Sequence, residues 1–240
     1  MPDVPATRSV RLPAVPARRR FQRRLLAWYA EHRRDLPWRR TRDAYRVLVS
    51  EIMLQQTQVD RVVPKYHEFL ERYPTFEDLA RAPVGDVKRV WYPLGYNVRP
   101  VNLHGIACET VARYGGRLPD DAAALRRLRG IGRYTAGAVL AFAHGKDAAM
   151  VDTNVRRVLG RVFLGPRRLA RLRGDRAIWD LAEALVPAGH AYDYNQGLMD
   201  FGATRCTARA PRCPGCPMAR LCLTFAARPA RPRASARRGR

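Results

Sequence analysis

The stretch LRGIGRYTAGAVLAF, residues 128–142, decides the fold. Gly130-Ile131-Gly132 breaks a short helical pattern, and an apolar helix follows at once. Glycines let the backbone turn tightly and come close to another group. The helix that starts at Arg133 would direct the free N–H groups of its first turn outward, a ready site for phosphate. The segment has the sequence form of a helix-hairpin-helix, which grips nucleic-acid backbone without reading bases. Read alone, a plain turn explains the same residues.

The same helical grammar extends on both sides. Apolar periodicity predicts helices over 20–32, 43–57, 60–72, 75–81, 83–92, 97–113, 120–127, 133–144, 153–163, 175–186 and 193–203. Pro37, Pro74, Pro83, Pro119, Gly115–Gly116 and Gly145 fall at the boundaries. No run alternates as a strand does and no repeat is visible, so the expected class is all-α. Residues 1–19 and 226–240 are rich in Pro, Arg and Ala and are expected to be disordered basic tails, solvated termini first and weak phosphate binders second.

Forty-five Lys and Arg against 21 Asp and Glu leave a formal charge of +24, and all but Lys65, Lys88 and Lys146 are arginines. Such an excess points to a polyanion, with nucleic acid foremost, although arginine-favouring codon usage contributes to it. No apolar run approaches a membrane span and the N-terminal residues lack a signal-peptide core, so the expectation is a cytoplasmic, nucleoid-associated protein. Cys206, Cys213, Cys216 and Cys222 form a C-x6-C-x2-C-x5-C cluster, and only Cys108 stands apart. Four thiolates at this spacing suit zinc or a [4Fe–4S] cluster, and the single C-x2-C knuckle favours iron–sulfur.

Two carboxylates carry the chemical expectation. Glu51, in VLVSEIMLQQTQVD (47–60), shares a helix face with Val47 and Leu54. Burial would raise its pKa and keep it protonated, unless it pairs with Arg39 or Arg46. Asp152 stands immediately before a helix, where it is both a favoured N-cap and held ionised by the helix dipole. One neutral and one charged carboxyl is the arrangement that cleaves glycosidic bonds.

Taken together, LPWRR, SEIMLQQTQV, LGYNVRPVNLHG, GIGRYTAGAV, VDTNVRRVLGR, NQGLMDFGATRC and the cysteine loop resemble the helix-hairpin-helix DNA glycosylases with an iron–sulfur loop. The likeness runs from about residue 21 to 225 and is strongest to the A/G-mismatch adenine glycosylases (MutY type). It implies two helical modules flanking a DNA-binding cleft: a six-helix barrel with the hairpin over 43–148, and an iron–sulfur module from 20–42 plus 149–225. The implied partner is double-stranded DNA bound by a monomer, and the implied cofactor is a [4Fe–4S] cluster on the four cysteines.

The resemblance also implies roles. Glu51 protonates the purine; Asp152 stabilises the cationic sugar; Tyr134 and Asn154 help position it. Trp38, Arg39, Leu54 and Gln196 line the base pocket. Gln55, Gln56, Tyr96, Gly130, Gly132, Arg133 and Thr135 contact DNA, with Gln56 and Tyr96 wedging into the duplex as the target nucleotide flips out. Tyr134 stands where bifunctional relatives carry a nucleophilic lysine, so a monofunctional enzyme is expected. Departures are the sequence ending soon after the cluster, without the family's usual 8-oxoguanine-recognition domain, together with Asn97, Pro100 and Thr153. RYT at 133–135 also resembles thymine glycosylases acting on T·G mismatches, the alternative substrate with uracil and modified bases. A non-catalytic helix-hairpin-helix DNA-binding protein is the third reading, disfavoured by the retention of both carboxylates.

Overall fold

Burial divides the chain into two apolar cores. A computed structural model describes residues 12–95 and 98–228. The helices are α1 (Val15–His32), α2 (Ala44–Met53), α3 (Val59–Arg72), α4 (Phe76–Arg81), α5 (Val84–Trp91), α6 (Val98–Tyr114), α7 (Ala122–Arg127), α8 (Arg133–Phe142), α9 (Thr153–Leu159), α10 (Gly165–Ala170), α11 (Arg176–Leu185), α12 (Ala191–Asp200) and α13 (Leu223–Ala226). Among the described residues there is no strand, as the absence of alternating runs predicts. No described helix is long and apolar enough to cross a membrane.

One core gathers the inward faces of α2 to α8 around Leu48, Phe69, Trp91, Leu103 and Leu125. The other joins α1, α9, α11 and α12 through Phe21, Leu25, Val158, Leu181 and Tyr194. Leu36 and Trp38, in the segment between α1 and α2, pack into the first core and not beside α1. A small third cluster spans the junction, where Val47 of α2 and Phe142 of α8 meet Met150 and Ala191.

Several boundaries differ from the sequence expectation. Helix α1 begins at Val15, so residues 15–19 are helical and not part of a disordered tail. Pro16 sits in its first turn, where the missing N–H costs nothing. Helix α2 stops at Met53, short of the expected 57, which places Gln55 and Gln56 in a turn. Gln56 itself takes a left-handed φ of 55°. The continuation of α9 to 163 is a widened π turn over Gly160–Leu164. Helices α10 and α13 had no counterpart in the pattern; α10 is short and carries Arg167 and Arg168 among few apolar residues. Residues 1–11 and 229–240, Tyr96 and Asn97 lie outside the described residues.

The two cores are pinned together by charge. Asp200, at the end of α12, has a fully buried side chain. It accepts from Arg39 Nη1 and Nη2 at 2.7 and 2.9 Å, from Arg34 Nε at 2.6 Å and from the Arg34 backbone N–H at 3.1 Å. Burial pushes this carboxyl upward, but the Arg39 hydrogen bonds and the two guanidinium charges outweigh it and hold the pKa below the usual range. Further links are Arg133 to Glu183 at 2.6 Å, the Gly189 N–H to both Asp147 carboxylate oxygens at 2.9 and 3.0 Å, and Asn195 Nδ2 to the Ala148 carbonyl at 2.8 Å.

Breaking a buried pair from one side leaves uncompensated charge, at a cost of about 3–5 kcal/mol. Asp200→Asn is therefore expected to lower unfolding stability by about that amount at pH 7. Because the folded carboxyl is depressed, the difference should shrink as pH falls below about 4. Denaturant titration of both proteins at pH 7 and pH 3.5 measures it.

Candidate active site

Between the two cores lies a cavity of about 600 Å³ into which Glu51, Tyr134, Asp152, Asn154 and Gln196 all project. Trp38, Arg39 and Leu54 line the same space, with Gln55 and Gln56 at its edge. The residues expected in catalysis and in the base pocket thus come together from five separate segments of the chain.

Glu51 stands on the last full turn of α2 and is 4% exposed. Burial pushes its pKa up to about 7; the Tyr134 hydroxyl opposes the shift, Asp152 adds to it, and Arg39 opposes it weakly. Pairing with Arg39 does not hold Glu51 ionised, because Asp200 occupies that guanidinium. Tyr134, on the first turn of α8, directs its hydroxyl to 3.6 Å from Met199 Sδ, and its own pKa is raised well above normal by burial and by the two nearby carboxyls.

Asp152 caps α9. Its Oδ1 accepts from the Val155 N–H at 2.7 Å and its Oδ2 from Asn154 Nδ2 at 2.8 Å. Asn154 Oδ1 in turn accepts from Arg157 Nη2 at 2.6 Å. Arg157 also donates to the carbonyls of Gly202 and Cys206, both at 2.7 Å. A continuous chain of hydrogen bonds therefore runs from the carboxylate to the start of the cysteine loop. Gly202 permits the close approach: a Cβ there would lie 2.6 Å from Asn154 Cβ. Gln196 is 3% exposed and lines the cavity, and its buried Oε1 has no hydrogen-bond partner.

The hairpin presents Gly132 as the N-cap of α8 with no side-chain cap, and open space lies where its Cβ would be. Gly130, at φ 99°, packs so near α6 that a Cβ would meet Asn102 Cβ at 2.9 Å. Two of the residues expected at DNA make contacts within the protein. Thr135 is 3% exposed and points inward. The Arg133 guanidinium lies 4.0 Å over the Trp179 ring as well as pairing with Glu183. Tyr96 is outside the described residues. Sequence reasoning missed Asp200, Arg157 and Met199. Arg157 could have been found, since i+3 from Asn154 is one face of a helix.

Cys206, Cys213, Cys216 and Cys222 are free thiols around a second cavity of about 220 Å³, with Val162, Phe201 and Met218 behind them. Arg161 Nη1 lies 3.5 Å from Cys206 Sγ. Among the described residues, no three His, Cys, Asp or Glu side chains are gathered closely enough to hold a single metal ion.

The model of the HhH-GPD superfamily of base excision DNA repair proteins matches residues 49–183. The thymine/uracil-DNA glycosylase of Methanothermobacter thermautotrophicus is 40% identical over 209 residues, covering 87% of this chain and 94% of that one. The adenine DNA glycosylase of Homo sapiens is 42% identical over 211 residues, which are 84% of this chain but 39% of the human protein. A solved thermostable thymine-DNA glycosylase superposes with a TM-score of 0.82 at 39% identity, covering 88% of this chain and 97% of that structure. Endonuclease III trapped on DNA shares the fold at a TM-score of 0.76 and 22% identity.

A carboxyl whose folded pKa rises from 4.5 to about 7 binds its proton more tightly folded than unfolded, so its contribution to stability falls as pH rises through that window. The penalty above pH 7 is on the order of 3 kcal/mol. Glu51→Gln removes it. The variant should be more stable than the parent by about 1–3 kcal/mol at pH 8, with the difference shrinking as pH falls and vanishing only below about 4.5, as thermal unfolding at pH 8 and pH 4 would show.

Proposed function

Because the chain belongs to the HhH-GPD superfamily of base excision DNA repair proteins and is a DNA glycosylase of that family, we propose that it is monofunctional and hydrolyses the N-glycosidic bond of mispaired adenine, opposite G or 8-oxoguanine. One observation carries this reading: a buried glutamate, its pKa pushed up to about 7, lines the same cavity as an aspartate that caps a helix and accepts two hydrogen bonds. Protonating a ring nitrogen makes a purine a better leaving group. A thymine leaving group gains less from an acid so placed.

The geometry supports the following steps. The target nucleotide is extruded into the cavity, since the bond is unreachable within the stack. Trp38 and Leu54 supply apolar walls and Arg39 a polar one. The free Oε1 of Gln196 accepts a hydrogen bond from the base, for which the adenine amine is a donor. Glu51 gives its proton to the base as the C1′–N bond breaks with its electron pair leaving on the base. Asp152 faces the oxocarbenium-like sugar, held in orientation by the Val155 N–H and Asn154. Water then adds to C1′, passing a proton to the Glu51 carboxylate, and leaves an abasic sugar. Tyr134 cannot form the Schiff base that leads to strand cleavage, and none of the three lysines is among the residues lining the cavity. The uncapped N-terminus of α8 suits a DNA phosphate.

The identity to a thymine/uracil glycosylase over nearly its whole length supports a second reading, removal of thymine or uracil from T·G and U·G pairs. The four thiols fit a cofactor larger than one ion: they surround a common cavity without closing on a point. Cys206, Cys213, Cys216 and Cys222 would hold a [4Fe–4S] cluster there, and its contribution would be structural and electrostatic order in the arginine-rich loop.

Single-turnover excision on A·G, A·8-oxoG, T·G and U·G duplexes tests the substrate. Adenine release that falls as pH rises past about 7, is abolished by Glu51→Gln and leaves the strand intact is the expected result. Release of thymine or uracil instead would replace the first reading by the second. Gln196→Leu should slow adenine release about tenfold, as for loss of one buried hydrogen bond. For the cofactor, the expected protein is brown with about four irons per chain; colourless protein carrying one zinc would refute the cluster.

A further inference from the structure

Arg99, on the first turn of α6, is only 5% exposed, and its guanidinium reaches two separate loops. Its Nη1 donates to the carbonyls of Ile52, Met53 and Gln55 at 3.1, 2.9 and 2.6 Å and to Thr57 Oγ1 at 3.1 Å. Its Nη2 donates to the carbonyls of Leu94 and Gly95 at 2.9 and 3.1 Å. The first set closes the C-terminus of α2 and the turn that carries Gln55 and Gln56. The second set holds the residues directly preceding position 96.

We propose that Arg99 is a positioning residue that fastens these two loops to each other, so that the turn 54–57 and residues 94–95 keep one fixed relation as the enzyme engages the duplex during base extrusion. The inference rests on the reading of this chain as a base-flipping glycosylase. Three features support it. Gln56 is an exposed, non-glycine residue at φ 55°. A left-handed backbone of that kind costs on the order of 1 kcal/mol and persists only where its surroundings enforce it; the carbonyl before it is bonded by Arg99 and by the Thr57 hydroxyl at 3.2 Å. The acceptors on α2 are also its C-terminal carbonyls, whose partial negative charge a cation complements. Finally, the planar fork serves two loops with two arms, which a lysine ammonium cannot do. Glu51 is one residue from Ile52, so the same guanidinium sets the end of the turn that carries the acid.

The test reads extrusion separately from chemistry. A duplex with 2-aminopurine beside an adenosine opposite guanine, its sugar 2′-fluorinated to block bond cleavage, is titrated with protein. Fluorescence is expected to rise on binding of the parent. Arg99→Lys should bind with a Kd within threefold of the parent while the rise at saturation drops at least threefold. A full rise with Arg99→Lys overturns the proposal, as does loss of binding in parallel with loss of the rise in a folded variant. Should Arg99→Lys fail to fold, Thr57→Val removes one acceptor at a half-buried position, and a rise cut about twofold at an unchanged thermal midpoint is expected; a full rise there overturns the proposal. If the parent binds without any rise, the flipping reading itself fails. Hydrogen exchange then decides the coupling: Arg99→Lys must speed exchange in residues 54–57 and 94–95 together, and acceleration of one loop alone refutes it.

Discussion

The buried carboxylate of Asp200 is the fixed point of the molecule. Each core could form from its own helices, but a cavity between them has a definite shape only if their separation is fixed. Asp200 belongs to the last turn of α12 and so to one core. Its arginines lie on the strip that leads through Trp38 into the other. Apolar contact alone is tolerant of sliding, whereas a bidentate Arg39 pair with two further bonds from Arg34 is directional and accepts one geometry. The same pair turns Arg39 into a wall of the cavity and removes it as a counter-ion for Glu51.

That removal decides the chemistry of the site. A glutamate on a helix lined with Val47, Leu48 and Ile52 has two escapes from the cost of burial: a salt bridge, or a proton. With the nearest guanidinium committed elsewhere, the proton is what remains. Asp152 meets the opposite conditions, with a backbone N–H and an amide donor on its two oxygens. Two carboxyls on one cavity thus meet different surroundings, one buried among apolar residues and one hydrogen-bonded at a helix start, and such differences are how acid and base roles separate in glycosyl transfer.

Much of this was legible in the sequence. Period and punctuation located eleven helices, because an amphipathic helix must show its buried face in the spacing of its residues. The carboxylates, Gln196 and the cysteine loop were recognisable by type and order. Less legible was whatever depends on a distant partner. Nothing local says that α2 ends at Met53; the pattern continues through Leu54, and the helix stops where Arg99, 46 residues away in sequence, takes its carbonyl. Nothing local says that Arg133 pairs with Glu183 and lies over Trp179. Asp200 looked like one more polar residue near a helix end.

The choice of base is where fold and family both stop discriminating, since relatives acting on adenine and on thymine or uracil match at similar identity. What can discriminate is the demand each base makes on the cavity. A purine needs a proton at a ring nitrogen and a partner for its amine; burial pushes the Glu51 pKa up to about 7, Gln196 Oε1 has no partner, and both residues line the same cavity. A pyrimidine fits the volume and would satisfy the amide, but it would leave the raised acidity of Glu51 with less to do. An enzyme that bears the cost of burying a carboxyl beside another one gains most from a leaving group that must be protonated, and that is the physical ground of the adenine proposal.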